Sequence, residues 1–137
     1  MQNLKSLTKK IRVLIPKQKE FKIIEPELKA LYIKKQKNIC DTNSFEFIRD
    51  NTFLYTFLIA DNLIGCIYYF LDNDNRLFLN AFSKRKTFQL NIICLTLSLS
   101  WFNCPIYAEA QNRASALCLL RCGFKRKKNN LFIYDTS

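Results

Sequence analysis

The stretch Ile106-Tyr107-Ala108-Glu109-Ala110-Gln111-Asn112-Arg113-Ala114-Ser115-Ala116-Leu117-Cys118-Leu119-Leu120-Arg121-Cys122-Gly123-Phe124 decides how the rest of the chain is read. Residues 106–110 read as a strand. Asn112 is a residue type that starts helices, because its side-chain oxygen can accept a backbone N–H of the first turn. Gly123 stands eleven positions later, where a residue of left-handed conformation ends a helix, and Phe124 then returns the chain to the core. A strand followed directly by a helix over 112–122 is expected, and Leu131 to Tyr134 reads as a closing strand.

Upstream, Phe88 to Phe102 is apolar nearly all round. Leu90, Ile93, Leu97 and Trp101 line one side of a helix there, and Ile92, Leu95 and Leu99 line another, so the helix is expected to be buried against a sheet with Trp101 in the core. Pro105 stops it. Phe53 to Ala60, Leu63 to Leu71 and Arg76 to Phe82 are rich in aromatic and β-branched residues. Turns at Asp61-Asn62 and Asp72-Asn73-Asp74-Asn75 join them into a three-stranded antiparallel meander. Nearer the N-terminus, residues 11–15 read as a strand stopped by Pro16. Lys17 to Ile39 is helical in pattern but broken at Pro26, which suits the first turn of a second helix beside Glu25 and Glu27. Asp41-Thr42-Asn43-Ser44 is a loop able to cap a short helix through Asp50. The order is β-α-α-β-β-β-α-β-α-β in one domain spanning 1–137.

That order, with Asn112 eleven residues before Gly123-Phe124, resembles the GCN5-related N-acetyltransferase (GNAT) superfamily, best over residues 53–134. The resemblance implies an α/β (α+β) fold in which a twisted mixed sheet carries helices on both faces. It implies acetyl-CoA, or another acyl-CoA, as co-substrate and no metal, with direct attack of an amine on the thioester. Backbone N–H groups near Asn80, Ala81 and Phe82 would polarise the thioester carbonyl, and Glu109, the only acidic residue between Asp74 and Asp135, would take the amine's proton. Tyr107 is the second catalytic candidate. Tyr134, Cys118 and Cys122 are further proton donors within reach, since the family's helix Tyr corresponds to Leu119 here. Asn112 would lie near the pantetheine arm. The coenzyme's pyrophosphate would meet the loop Ser83 to Phe88, where the family's glycines are replaced by Lys84, Arg85 and Lys86, and where Ser83 or Thr87 can cap the helix.

Net charge is +11, with eleven Lys/Arg against three Glu over residues 1–37 and further clusters at Lys84-Arg85-Lys86 and Lys125-Arg126-Lys127-Lys128. Such a field favours polyanions, nucleic acid among them. An amine acceptor, small molecule or protein, is the other expected partner, and the chain is expected to act as a monomer or homodimer. No secretory h-region precedes Pro16, and Ile92 to Phe102 is about half a membrane span. A cytoplasmic chain with six reduced cysteines is expected. With no His and no C-x-x-C pair, no zinc site is expected. The rival function is a catalytically silent GNAT-fold interaction or structural protein, phage- or prophage-encoded.

Overall fold

The computed structural model describes residues 10–135. Seven strands form one mixed sheet: β1 (Ile11–Leu14), β2 (Phe53–Ile59), β3 (Asn62–Leu71), β4 (Leu77–Ser83), β5 (Ile106–Glu109), β6 (Lys125–Lys128) and β7 (Leu131–Tyr134). Among the described residues four helices accompany them: α1 (Phe21–Lys35), α2 (Phe45–Asn51), α3 (Phe88–Leu99) and α4 (Arg113–Arg121). Strand order is β1-β2-β3-β4-β5-β7-β6, antiparallel throughout except for the parallel β4–β5 step. Alternating side chains build two cores. Ile64, Ile67, Tyr69, Leu77 and Leu79 pack with Cys94, Leu95 and Leu99 of α3 and Leu119 of α4. Leu54, Cys66, Tyr68 and Phe82 pack on the other face with Phe21, Leu28 and Tyr32 of α1 and Ile48 of α2.

The meander forms as expected, but its first turn is one residue early. Ile59 pairs with Asn62, leaving Ala60 and Asp61 as the turn, both with positive φ (49° and 63°). That is the backbone a two-residue hairpin of right-handed twist requires, whichever side chains occupy it. Pro26 does not open a second helix: α1 runs through it unbroken. Pro26 is the sixth residue of α1 and removes one bond, to the Lys22 carbonyl, just past the first turn. Burial of Phe21, Ile24, Leu28 and Tyr32 outweighs that loss. Glu25 and Glu27 accordingly sit inside the helix and act as ion-pair partners, of Arg49 (2.8 Å) and Lys84 (2.5 Å).

At the other end, α3 stops at Leu99 rather than Phe102, and Trp101 is not core: it is 40% exposed and lies against Tyr55 and Phe57, 4.6 and 6.3 Å between centroids. The closing strand is one arm of a hairpin, since Lys125–Lys128 forms a further strand paired with β7. Asn129, with φ 52°, turns the chain between them. No helix among the described residues is long and apolar enough to cross a membrane.

Candidate active site

Strands β4 and β5 pair only at Leu77–Ile106 and Phe78–Tyr107. Beyond those two pairs they part, and a cleft of about 340 Å³ opens between them. Its walls include Leu79, Asn80, Ala81, Phe82 and Lys84 from the β4 side, and Ala108, Glu109 and Asn112 from the β5 side. Ala81, in the fourth strand of a seven-stranded sheet, is exposed. An exposed alanine in the interior of a sheet marks the gap directly.

Backbone polarity follows from strand geometry. The Lys84 N–H donates to Ile64 O of β3 (2.9 Å). N–H groups alternate sides along a strand, so those of Phe82 and Asn80 also face β3, while those of Ala81 and Leu79 face the cleft. Of the three positions expected to polarise a carbonyl, Ala81 therefore presents the donor. Its own neighbour holds it, because Asn80 Oδ1 accepts from the Ala81 N–H at 2.9 Å. Asn80 Nδ2 in turn donates to Ile39 O (3.1 Å), tying β4 to the loop after α1. That loop is anchored twice more from beneath: Tyr68 Oη donates to Asp41 Oδ2 (2.6 Å), and Tyr32 Oη donates to Asn43 O (2.7 Å). Burial, reinforced by Asp41, pushes both phenols well above their ordinary range. They act as fixed donors, not as acids. Across the cleft, Cys40 Sγ donates to Gln111 Oε1 at 3.2 Å.

At the outer end of β4, neither Ser83 nor Thr87 caps α3. Thr87 Oγ1 donates to Lys84 O (2.8 Å), and Ser83 Oγ accepts from Asn91 Nδ2 (2.9 Å). The first N–H groups of α3, at Phe88 to Leu90, have no intrahelical acceptor and no side-chain cap, which leaves a positive helix end at the cleft. Lys86 supplies what a glycine would: its φ is 60°, in the left-handed region. Lys84 reaches back to Glu27, while Arg85 and Lys86 are exposed.

On the β5 side, Asn112 is the N-cap of α4, its Oδ1 accepting from Ser115 N (2.8 Å). Gly123 (φ 98°) closes the helix, with Phe124 N donating to Leu119 O (3.0 Å). The cleft-facing side of α4 carries Ser115 and Cys118; Leu119 is buried. Cys122 Sγ accepts from Thr96 Oγ1 (3.6 Å) and donates to Ile92 O (3.7 Å), and the neighbouring Cys122 together with burial pushes the Cys118 thiol up.

The cleft thus brings together Asn80, Ala81, Phe82, Lys84, Glu109 and Asn112. Arg85, Lys86 and Thr87 form the loop between two lining residues, Lys84 and Phe88. Tyr107 does not line the cleft. It sits below the point where the strands part, its ring stacked on Phe78 at 5.5 Å. Sequence reasoning overlooked Gly65, although a glycine inside a strand signals close backbone approach. A Cβ there would lie 2.4 Å from Phe82 O and 2.8 Å from Ser83 Cα. Among the described residues, no group of side chains suited to a metal ion occurs.

No family sequence model and no curated protein sequence matches the chain. Solved structures do. A GNAT-family acetyltransferase from Staphylococcus aureus Mu50 superposes with a TM-score of 0.63 at 14% identity, over 93% of this chain and 99% of that one. A probable acetyltransferase from Staphylococcus epidermidis gives 0.62 at 14%, over 93% and 98%. A Bacillus subtilis acetyltransferase in complex with CoA gives 0.57 at 18%, over 87% of this chain and 79% of that one. The chain has the fold of the GNAT acetyltransferases.

Proposed function

We propose that the chain is an acyl-CoA-dependent N-acyltransferase, transferring an acetyl or related acyl group to an amine. The observation that carries this reading is the parting of β4 from β5 above an uncapped α3 start. The Bacillus subtilis neighbour was solved with CoA, which supports the same choice of co-substrate. In this reading the pyrophosphate meets the N–H groups of Phe88 to Leu90, with Arg85 and Lys86 adding charge. The pantetheine arm runs between Ala81 and Asn112. The amine nitrogen attacks the thioester carbon, and the carbonyl oxygen displaces Asn80 Oδ1 from the Ala81 N–H. Glu109 takes the ammonium proton, the C–S bond breaks, and the departing thiolate is protonated by water. All six cysteines are free thiols, which fits a reducing, cytoplasmic setting.

The test is thermal. Acetyl-CoA at 100 times its Kd stabilises a folded protein by about 2.7 kcal/mol, several degrees in Tm for a domain of this size. Wild type is expected to show that shift, and Arg85→Glu/Lys86→Glu is expected to lose most of it with an unchanged ligand-free Tm. The silent-scaffold reading, favoured by Leu119 in place of a proton-donating side chain, gives no shift in either protein at millimolar acetyl-CoA.

A further inference from the structure

Among the described residues, the four helices leave one sheet face bare. α1 packs on β3 and β4 and α2 on β2, so on their side of the sheet the β5-β7-β6 end carries, among the described residues, its own side chains, Tyr107, Glu109, Leu131, Ile133, Lys125 and Lys127, all partly or fully exposed. Running into that face is a row of rings across three strands: Phe70 of β3, Phe78 of β4 and Tyr107 of β5. Centroids are 6.1 and 5.5 Å apart, with the rings inclined by only 19° and 28°. Each ring is partly exposed. Cations stand over them: the Arg76 guanidinium lies 5.3 Å from the Phe78 centroid and 5.1 Å from that of Tyr107, and Lys127 Nζ lies 5.4 Å from the latter. Beyond is the sheet edge, where Lys125 to Lys128 are all exposed.

We infer that this face binds single-stranded nucleic acid, its bases stacking on Phe78 and Tyr107 and its phosphates following Lys125 and Lys127. The inference is independent of the acyltransferase reading. Lysines on a strand edge also keep it from pairing with another chain, so charge alone does not identify the ligand. The rings do. Every base offers a flat face to an aromatic platform, whereas a duplex keeps its bases stacked inside and meets only the charges. Acidic groups border the face. Asp72 and Asp74 hold Arg76 at 2.9 and 3.8 Å, and Glu109 is exposed two residues beyond Tyr107. Lys125 and Lys127 therefore carry the phosphate contacts.

Fluorescence anisotropy with a labelled mixed-sequence 12-nucleotide RNA, single-stranded and as a duplex, tests this with the full chain. Single strands are expected to bind at least tenfold more tightly, with log affinity falling linearly in log salt. Lys125→Glu/Lys127→Glu should reduce affinity more than tenfold and flatten the salt slope. Lys17→Glu/Lys19→Glu, the same charge change at exposed sites elsewhere, should cost far less. Tyr107→Leu, a milder change that keeps an apolar side chain, should lose roughly tenfold with the salt slope unchanged. Equal binding of single strand, duplex and polyglutamate-competed RNA, or a Tyr107→Leu protein of wild-type affinity, overturns the proposal. Binding of polyglutamate instead of RNA overturns it in favour of a charged-peptide surface.

Discussion

Gly65 shows how one residue sets the geometry of the cleft. Its missing side chain lets β3 close against β4 at Phe82 and Ser83, the end of the strand that delivers the Ser83–Phe88 loop. Gly65→Ala places a methyl against backbone that cannot move independently. We expect a stability loss of about 1–3 kcal/mol, the usual cost of overpacking, measured by urea denaturation. The surviving folded protein is expected to have a displaced loop and a weakened response to acetyl-CoA. A Gly65→Ala protein with wild-type stability would show that the close approach is not needed. At this scale the sequence was readable where a residue type has one dominant use, as with Asn112 capping α4 and Gly123 in the left-handed region. It was misleading at Lys86, which adopts the positive φ usually assigned to glycine. An absent glycine motif does not mean an absent glycine conformation, because the cost of roughly 1–2 kcal/mol can be met by surrounding contacts. Tyr107 fell outside the cleft because alternation places residues 107 and 109 on one face without saying where the strands part.

Elements were legible in proportion to their burial. The meander and α3 carry runs of apolar residues whose period names the structure, and both form, with the first turn one residue early and α3 ending at Leu99. β6 was hidden because Lys-Arg-Lys-Lys has neither strand propensity nor apolar alternation; its strand form comes from pairing with β7. The only local signal was Asn129-Asn130 before an apolar run, a turn pair of a type that tolerates positive φ. Pro26 misled for the opposite reason: propensity at one position was outweighed by the buried stripe of α1. The N-terminus of α4 allows capping and ligand contact to be separated. Asn112→Ala should cost about 1 kcal/mol, a fall of a few degrees in Tm, through loss of the bond from Ser115 N. Asn112→Ser keeps an oxygen for that bond and should retain the wild-type Tm. If the Asn112 amide also meets the pantetheine arm, the Ser variant alone will pair normal stability with weakened acetyl-CoA binding. Equal acetyl-CoA responses in wild type and Asn112→Ser would confine this residue to capping.

At the scale of the molecule, the sheet is two pieces joined by two residue pairs of parallel ladder. The first piece, β1 to β4, is braced by α1 and α2, and the second, β5-β7-β6, by α4. Between them the backbone of Ala81 is left without a neighbouring strand, a costly arrangement for a sheet unless something else uses the donor. Asn80 Oδ1 uses it. In the proposed reading, an acyl-CoA occupying the cleft would replace that bond and add others at the start of α3. The most direct measurement is the set of backbone amide resonances of Ala81, Phe88, Gln89 and Leu90 during titration with acetyl-CoA. The account predicts saturable shifts at all four, with Ala81 moving as its bond to Asn80 Oδ1 is exchanged for one to the thioester carbonyl. Four unmoved amides at millimolar acetyl-CoA, in a protein whose other amide resonances match the folded structure, would contradict it.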